Sequence, residues 1–195
     1  NVATKFQVTR QEQDKFALKS QEKALKAMKE NKFKDEITSF KIKSKKAEID
    51  FNKDEHPRDG INLEGLTRLK PVFQKDGTVT AGNASGINDG AAAVTLMSDE
   101  EAKKRNLKKL VTIKSWASCG VEPALMGTGP IPATKKALDL AGWKINDVDL
   151  FEVNEAFAAQ SIAVLKTLGI PDEKVNVNGG AIAIGHPIGA SGTRI

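Results

Sequence analysis

Histidine, the side chain best suited to proton transfer near neutral pH, occurs only twice in the sequence, at His56 and His186. His186 lies in the segment from Gly179 to Gly192, in which five of 14 residues are glycine. Glycines let another molecule approach the backbone closely, and the proline after His186 stiffens the chain. The segment therefore favours an imidazole held on a rigid turn, with a purely structural turn as the alternative. His56 precedes a proline in a charged segment and is expected to be a surface residue.

A second candidate region contains the polar residues Asn154 and Glu155. They lie where a predicted apolar strand ends and a helix-like run over residues 156–160 begins. Open α/β sheets bind ligands at the carboxyl ends of their strands. This strand-to-helix corner is therefore a second candidate for functional side chains.

A third informative stretch, residues 78–93, consists mostly of small residues. A ligand can lie directly on such a backbone, whose amides and hydroxyls can then bond to amide groups of the ligand. A tightly packed turn between two domains would need the same small residues, so both interpretations remain open on this stretch alone.

The elements that must position these stretches alternate between helix and strand along most of the chain. Thr9 and Glu12 form a capping-box pattern before a helix over residues 10–31, whose modestly apolar face predicts a surface position. Strands are predicted at 37–42, 47–51, 91–97, 110–116, 148–153 and 175–178, with a hairpin turn at 43–46. Further helices are predicted at 63–69, after Ser98, at 131–141, at 156–168 and from Gly189. This succession is typical of layered α/β domains.

Composition narrows the function classes. The net charge of +5 is concentrated in residues 1–53, where 14 basic and 8 acidic residues give +6. This excess could attract a polyanionic ligand, although a solvated surface is the default explanation and no aromatic-basic motif supports nucleic acid. No apolar run approaches the roughly 20 residues that span a bilayer. The spacing of Gly185, Gly189 and Gly192 does not match the dinucleotide-binding fingerprint.

The stretches 154–158 and 179–192 together resemble the thiolase family. The resemblance covers essentially the whole chain. It implies an α/β fold with five layers (α-β-α-β-α), of which this chain would form only part, together with the family's loop domain. On this basis residues 1–87 are expected to belong to the coenzyme A-binding loop domain, 88–108 to the end of the N-terminal half, and 109–195 to a truncated C-terminal half.

The resemblance also implies roles for individual residues. His186 would activate a nucleophilic cysteine and donate a hydrogen bond to an enolate oxygen, and Asn154 would hold the water that donates the other bond. The expected coenzyme A and substrate contacts are Arg58, Phe73, Ala81, Gly82, Ser85, Met126, Ala156 and Phe157. No metal is expected. The only cysteine, Cys119, matches neither of the family's catalytic cysteines. The chain is therefore expected to be an internal piece of a longer enzyme, or a truncated gene product, and to be inactive by itself.

The resemblance implies an acyltransferase that condenses two acetyl-CoA molecules to acetoacetyl-CoA and coenzyme A, or catalyses the reverse thiolysis. The alternatives are a 3-ketoacyl-CoA thiolase of broader chain length and a non-catalytic coenzyme A-binding fragment. Coenzyme A thioesters would be substrates and no prosthetic group is implied. A cytoplasmic homo-oligomer, a dimer or tetramer without nucleic-acid or membrane partners, is expected.

Overall fold

The computed structural model describes residues 1–43 and 47–195. The helices are α1 (Val2–Lys5), α2 (Arg10–Lys29), α3 (Leu63–Thr67), α4 (Asp99–Lys104), α5 (Pro130–Ala141), α6 (Ala158–Leu168), α7 (Ala181–Ile184) and α8 (Ile188–Arg194). The strands are β1 (Phe40–Lys43), β2 (Glu48–Phe51), β3 (Ile87–Asn88) and β4 (His186–Pro187). Short 3-10 turns cover Pro123–Thr128, Ile145–Asp147 and Asp172–Lys174. Within these residues, no helix is both long and apolar enough to cross a bilayer.

The long helix α2 begins as its sequence predicts. The Thr9 hydroxyl accepts a hydrogen bond from the backbone N–H of Glu12 (3.2 Å), and the Glu12 carboxylate accepts one from the backbone N–H of Thr9 (2.7 Å). These reciprocal bonds satisfy N–H groups that the first turn of a helix leaves without partners. The predicted capping box is therefore confirmed.

The predicted surface position of α2 is wrong, because one face of this helix is fully buried. Ala17 and Ala24 are 0% exposed, and α2 packs against α6 and α7. Polar residues of the same face are buried as well, and Gln21 donates a hydrogen bond to the carbonyl of Ile182 in α7. Burial of a polar side chain is tolerated when it finds a partner, and hydrophobic periodicity alone does not reveal such partners.

Two small sheets form among the described residues. Strands β1 and β2 pair antiparallel as the predicted hairpin, and residues 44–46 of its turn lie outside the described residues. Strands β3 and β4 pair parallel, with Ile87 opposite His186. This second pairing brings the stretch of small residues at 78–93 to the histidine.

The four strands predicted at 91–97, 110–116, 148–153 and 175–178 are not found as strands. Phe151 and Val175 form a single parallel bridge, whereas the segments at 91–97 and 110–116 have no ladder in the described part of the chain. Leu110 is 89% exposed and Trp116 is 78% exposed. A strand exists only where a neighbouring strand accepts and donates its backbone hydrogen bonds, and apolar sequence cannot supply that neighbour.

Candidate active site

His186 and Asn154 lie side by side although 32 residues separate them in the sequence. The Nε2 atom of His186 is 3.2 Å from the Nδ2 atom of Asn154, and both side chains are half-buried. An amide N–H can only donate, so a hydrogen bond between these two nitrogens requires Nε2 to be the acceptor and the ring proton to be on Nδ1. The pair thus presents a basic nitrogen and an amide group at one point.

The turn before His186 is built around Gly185. Its φ of +91° suits glycine, and a side chain there would collide with the amide of Asn88. The missing side chain at Gly185 lets the amide of Asn88 come close to the backbone. The Oδ1 atom of Asn88 then accepts a hydrogen bond from the backbone N–H of His186 at 3.0 Å. The histidine backbone is therefore fixed by β3 as well as by its own turn.

The other ring nitrogen of His186 also has a partner. Its Nδ1 is 2.8 Å from the hydroxyl oxygen of Ser191, which lies 3.1 Å from the carbonyl oxygen of Pro187. Ser191 is only 7% exposed. Both nitrogens of the ring are consequently engaged, and its orientation is set from two sides.

Asn154 is positioned through its neighbour Glu155, which is 2% exposed. The Glu155 carboxylate accepts hydrogen bonds from the Ser20 hydroxyl (2.6 Å), the Asn176 amide (2.8 Å) and the backbone N–H of Ile182 (3.2 Å). Burial raises the pKa of this carboxyl above its ordinary value, and these donors oppose the shift. Glu155 therefore joins α2, the 176–180 turn and α7 directly beside Asn154.

Asn176 braces the same corner. Its side chain accepts a hydrogen bond from the backbone N–H of Val153 (2.7 Å) and donates one to the Val153 carbonyl (2.8 Å). The side chain thus replaces a neighbouring strand for the residue that precedes Asn154.

A cleft of about 510 Å³ lies between α3, the 81–86 segment and α7, and neither His186 nor Asn154 is among the residues that line it. Four of the predicted contact residues line it: Arg58, Ala81, Gly82 and Ser85. His56 lines it too, and its Nδ1 lies 2.7 Å from the Ala183 carbonyl. The expectation that His56 is merely a surface residue is wrong, because it is half-buried and anchors the loop of residues 55–60 to α7.

The 80–85 wall of the cleft is tied to the protein interior. Asn83, which is 0% exposed, donates hydrogen bonds to Asp14 of α2 (2.9 Å) and to the Thr78 carbonyl (3.1 Å). The backbone N–H of Ser85 donates to the carbonyl of Ala156 at 3.0 Å. The wall of the cleft and the corner that bears Asn154 therefore form one hydrogen-bonded unit.

The remaining predicted contact residues do not line this cleft. Phe73 is 71% exposed, and its ring meets that of Phe157 edge to face with centroids 6.0 Å apart. Met126 is 74% exposed and is not among the residues that line the cleft. The described residues contain no group of three or more histidine, cysteine, aspartate or glutamate side chains that could hold a metal ion.

The sequence did not reveal Ser191, Asn176 or Ser20 as residues of the site. Each is a small polar residue that becomes informative only through its partner, because an isolated serine or asparagine is more often a cap or turn residue. The one available signal is that Ser191 follows His186 within the first turns of a predicted helix.

Comparison with known families gives two matches that together cover most of the chain. Residues 1–100 match the model "Thiolase, N-terminal domain", and residues 107–195 match "Thiolase, C-terminal domain". The chain is 60% identical over 195 residues to the acetyl-CoA acetyltransferase of Shinella zoogloeoides, and 56% identical over 197 aligned positions to the cytosolic acetyl-CoA acetyltransferase of Mus musculus. It spans about half the length of these curated relatives, 50% of each.

Solved structures give the same result. The Bacillus anthracis acetyl-CoA acetyltransferase superposes with a TM-score of 0.93 at 50% identity, covering all of this chain and 49% of that one. Human mitochondrial 3-ketoacyl-CoA thiolase in complex with CoA superposes with a TM-score of 0.90 at 48% identity, covering all of this chain and 48% of that one.

Proposed function

Because this chain belongs to the thiolase family, we propose that it supplies the His186 and Asn154 part of an active site that transfers acetyl groups between coenzyme A thioesters. The proposed reaction condenses two acetyl-CoA molecules to acetoacetyl-CoA and coenzyme A, or runs in reverse as thiolysis. The observation that carries the proposal is the 3.2 Å approach of His186 Nε2 to Asn154 Nδ2.

The chemistry of the condensation explains why such a pair is useful. Removal of a proton from the methyl group of a thioester leaves negative charge on the thioester oxygen, and hydrogen-bond donors held in place stabilise that charge. Two nitrogens 3.2 Å apart can both reach one oxygen, directly or through a water molecule. Because their positions are fixed by Asn88, Ser191 and the Glu155 network, little reorganisation is needed when the charge develops.

His186 has a second proposed task, the activation of a cysteine that carries the acyl group. A thiolate is the reactive form of cysteine, and a nearby imidazole can accept the thiol proton. Cys119 lies in a segment without helix or strand and is not assigned this role. We place both catalytic cysteines outside these 195 residues.

The cleft is the proposed binding site for coenzyme A. Ala81, Gly82 and Ser85 expose small side chains and backbone along which the amide-rich pantetheine arm can lie. Arg58 is exposed on the same cleft, where a guanidinium can bind phosphate or stack on adenine. Phe73, Ala156 and Phe157 would form an apolar wall, and Met126 remains a prediction for the acyl pocket.

Measurement of thiolysis tests the assignment. In the complete protein, His186→Ala and Asn154→Ala should each slow cleavage of acetoacetyl-CoA by coenzyme A at least about 100-fold, as loss of an oxyanion donor does elsewhere. Asn52→Ala changes an exposed asparagine and should have no effect. Circular dichroism should show the same helix content in all variants. Near-normal activity of His186→Ala would exclude the proposed role.

The similarity to human mitochondrial 3-ketoacyl-CoA thiolase supports a second candidate, an enzyme of the same mechanism with longer acyl substrates. The ratio of kcat/KM for acetoacetyl-CoA to that for a long-chain 3-ketoacyl-CoA distinguishes the two. Saturable coenzyme A binding without any acyl exchange would instead indicate a binding fragment.

We also propose that the complete protein is a homo-oligomer in the cytosol. The mouse relative carries "cytosolic" in its name, which supports the location. Sedimentation analysis of the complete protein measures the number of subunits.

A further inference from the structure

We propose that Ser191 is a positioning residue that controls which nitrogen of His186 carries the proton. The inference rests on the proposed function of His186 and goes beyond it, because it assigns a task to a side chain that would not touch substrate. Its basis is the arrangement of three groups: His186 Nδ1 lies 2.8 Å from Ser191 Oγ, and Ser191 Oγ lies 3.1 Å from the Pro187 carbonyl.

The hydroxyl of Ser191 has one proton and two possible acceptors for it. When Nδ1 of His186 is protonated, the ring donates to the hydroxyl oxygen, and the hydroxyl donates to the carbonyl of Pro187. When Nδ1 is unprotonated, the hydroxyl can rotate and donate to the ring instead. Only the first arrangement keeps both of the hydroxyl's hydrogen bonds, so Ser191 favours the proton on Nδ1.

The contact on the other side of the ring favours the same state. Asn154 Nδ2 faces Nε2 at 3.2 Å, so Nε2 acts as the acceptor and Nδ1 holds the proton. In this state Nε2 carries no proton, and its electron pair can accept the proton of a thiol in place of the Asn154 hydrogen bond: the S–H bond breaks, an Nε2–H bond forms, the sulfur becomes a thiolate and the ring becomes an imidazolium. The charged ring can then donate Nε2–H to an enolate oxygen while Ser191 still accepts from Nδ1.

A serine at this point of a helix also has an ordinary structural explanation. Its hydroxyl bonds to the carbonyl four residues earlier, as serine and threonine often do in helices. The chain offers a matched control for that explanation, because Thr167 of α6 makes the same bond to the carbonyl of Ala163 at 2.7 Å and has no histidine partner.

The experiment compares Ser191→Ala, Ser191→Thr and Thr167→Ala in the complete protein. With histidines labelled by 15N, nuclear magnetic resonance without substrate reports which ring nitrogen is protonated, and His186→Gln identifies the signals. We expect neutral His186 to carry its proton on Nδ1 in the wild type and in Ser191→Thr, and we expect the fraction protonated on Nδ1 to fall in Ser191→Ala. Because alanine is a good helix former, Ser191→Ala should keep helix α8 folded, and circular dichroism checks this.

Kinetics supply the second measurement. Ser191→Ala should lower kcat for thiolysis about tenfold, the effect of losing one hydrogen bond in the transition state, with a much smaller change in KM. Its pH profile of kcat should shift, whereas Ser191→Thr and Thr167→Ala should retain the wild-type profile. Unchanged ring-nitrogen signals and an unchanged pH profile in Ser191→Ala would overturn the proposal. Since the nitrogen signals are recorded without substrate, they decide the role of Ser191 even if the complete protein shows no acyl exchange, an outcome that would overturn the proposed function alone.

Discussion

The carboxylate of Glu155 lies directly against the backbone of Gly180, so closely that a Cβ atom at residue 180 would overlap the carboxyl group. The backbone N–H of Gly180 donates to the Ser20 hydroxyl at 3.1 Å, and that hydroxyl donates to Glu155 at 2.6 Å. The absence of a side chain at residue 180 is therefore a condition for the network beside Asn154.

Gly180→Ala should disturb this network and the site together. The new methyl group must displace the buried Glu155 carboxylate, which should lower the free energy of unfolding by about 1 to 3 kcal/mol. Thiolysis by the complete protein should fall with it. The control is Gly120→Ala, because a Cβ at Gly120 meets nothing within 4 Å. Equal stability of the two variants in urea unfolding would contradict the close packing of Glu155 on Gly180.

Glu155 should make stability depend on pH in a direction opposite to that of most carboxylates. Burial raises its pKa in the folded protein, so between the unfolded and folded values the folded state binds more protons than the unfolded state. The free energy of unfolding contributed by this group is therefore highest below the unfolded pKa and falls as pH rises through the folded value.

Urea unfolding of wild type and Glu155→Gln at a series of pH values measures this effect. The stability of the wild type relative to the variant should decline as pH rises above the unfolded pKa and then become constant. Glu173→Gln, at an exposed position, serves as the control for loss of one acidic group. A difference between wild type and Glu155→Gln that grows with pH would contradict the prediction.

Glu12 should show the pH dependence of stability that is usual for a carboxylate whose pKa is lowered on folding. The ion pair with Lys166 (2.5 Å) and the capping bonds to Thr9 lower the pKa of Glu12 to about 2. Its contribution to stability is then complete above the unfolded pKa of 4.5 and is lost as pH falls toward 2. Because the pair is largely exposed, Glu12→Gln should cost only about 1 kcal/mol at pH 7, chiefly through the helix cap. Thermal unfolding at pH 7 and pH 3, with Glu22→Gln on the same helix as control, checks both the size and the pH dependence.

Arg58 should affect binding of coenzyme A and not the chemical step. Its side chain is exposed on the cleft, whereas its backbone N–H is held by Gln21 at 3.0 Å, so truncation should leave the loop in place. Arg58→Ala should raise the KM for coenzyme A about tenfold with little change in kcat, as loss of a charged hydrogen bond does. Arg68→Ala removes an exposed arginine that follows α3 directly and lies outside the cleft, and it should change neither constant. A fall in kcat without a rise in KM would place Arg58 elsewhere in the mechanism.

The sequence by itself was sufficient to recognise the family and most helices. The stretches around Asn154 and His186 led to the thiolase family and its fold, and both are confirmed. Helices α2 and α5 lie where periodicity and end signals predict them, with α5 ending at Gly142 in the left-handed conformation. These features depend on residues within a few positions of one another, so local sequence contains the information. The domain boundaries and the roles of the site residues stay predictions.

Only the tertiary structure decided which distant groups meet. It placed Asn154 beside His186, gave Ser20 and Asn176 to Glu155, and buried α2 through polar contacts that its sequence pattern did not predict. It also showed that apolar segments such as residues 110–116 form no ladder among the described residues. In each case the outcome depends on a hydrogen-bond partner far away in the sequence. A residue's own type cannot specify such a partner, because the same side chain is satisfied equally well by water at a surface or by a neighbour in the interior.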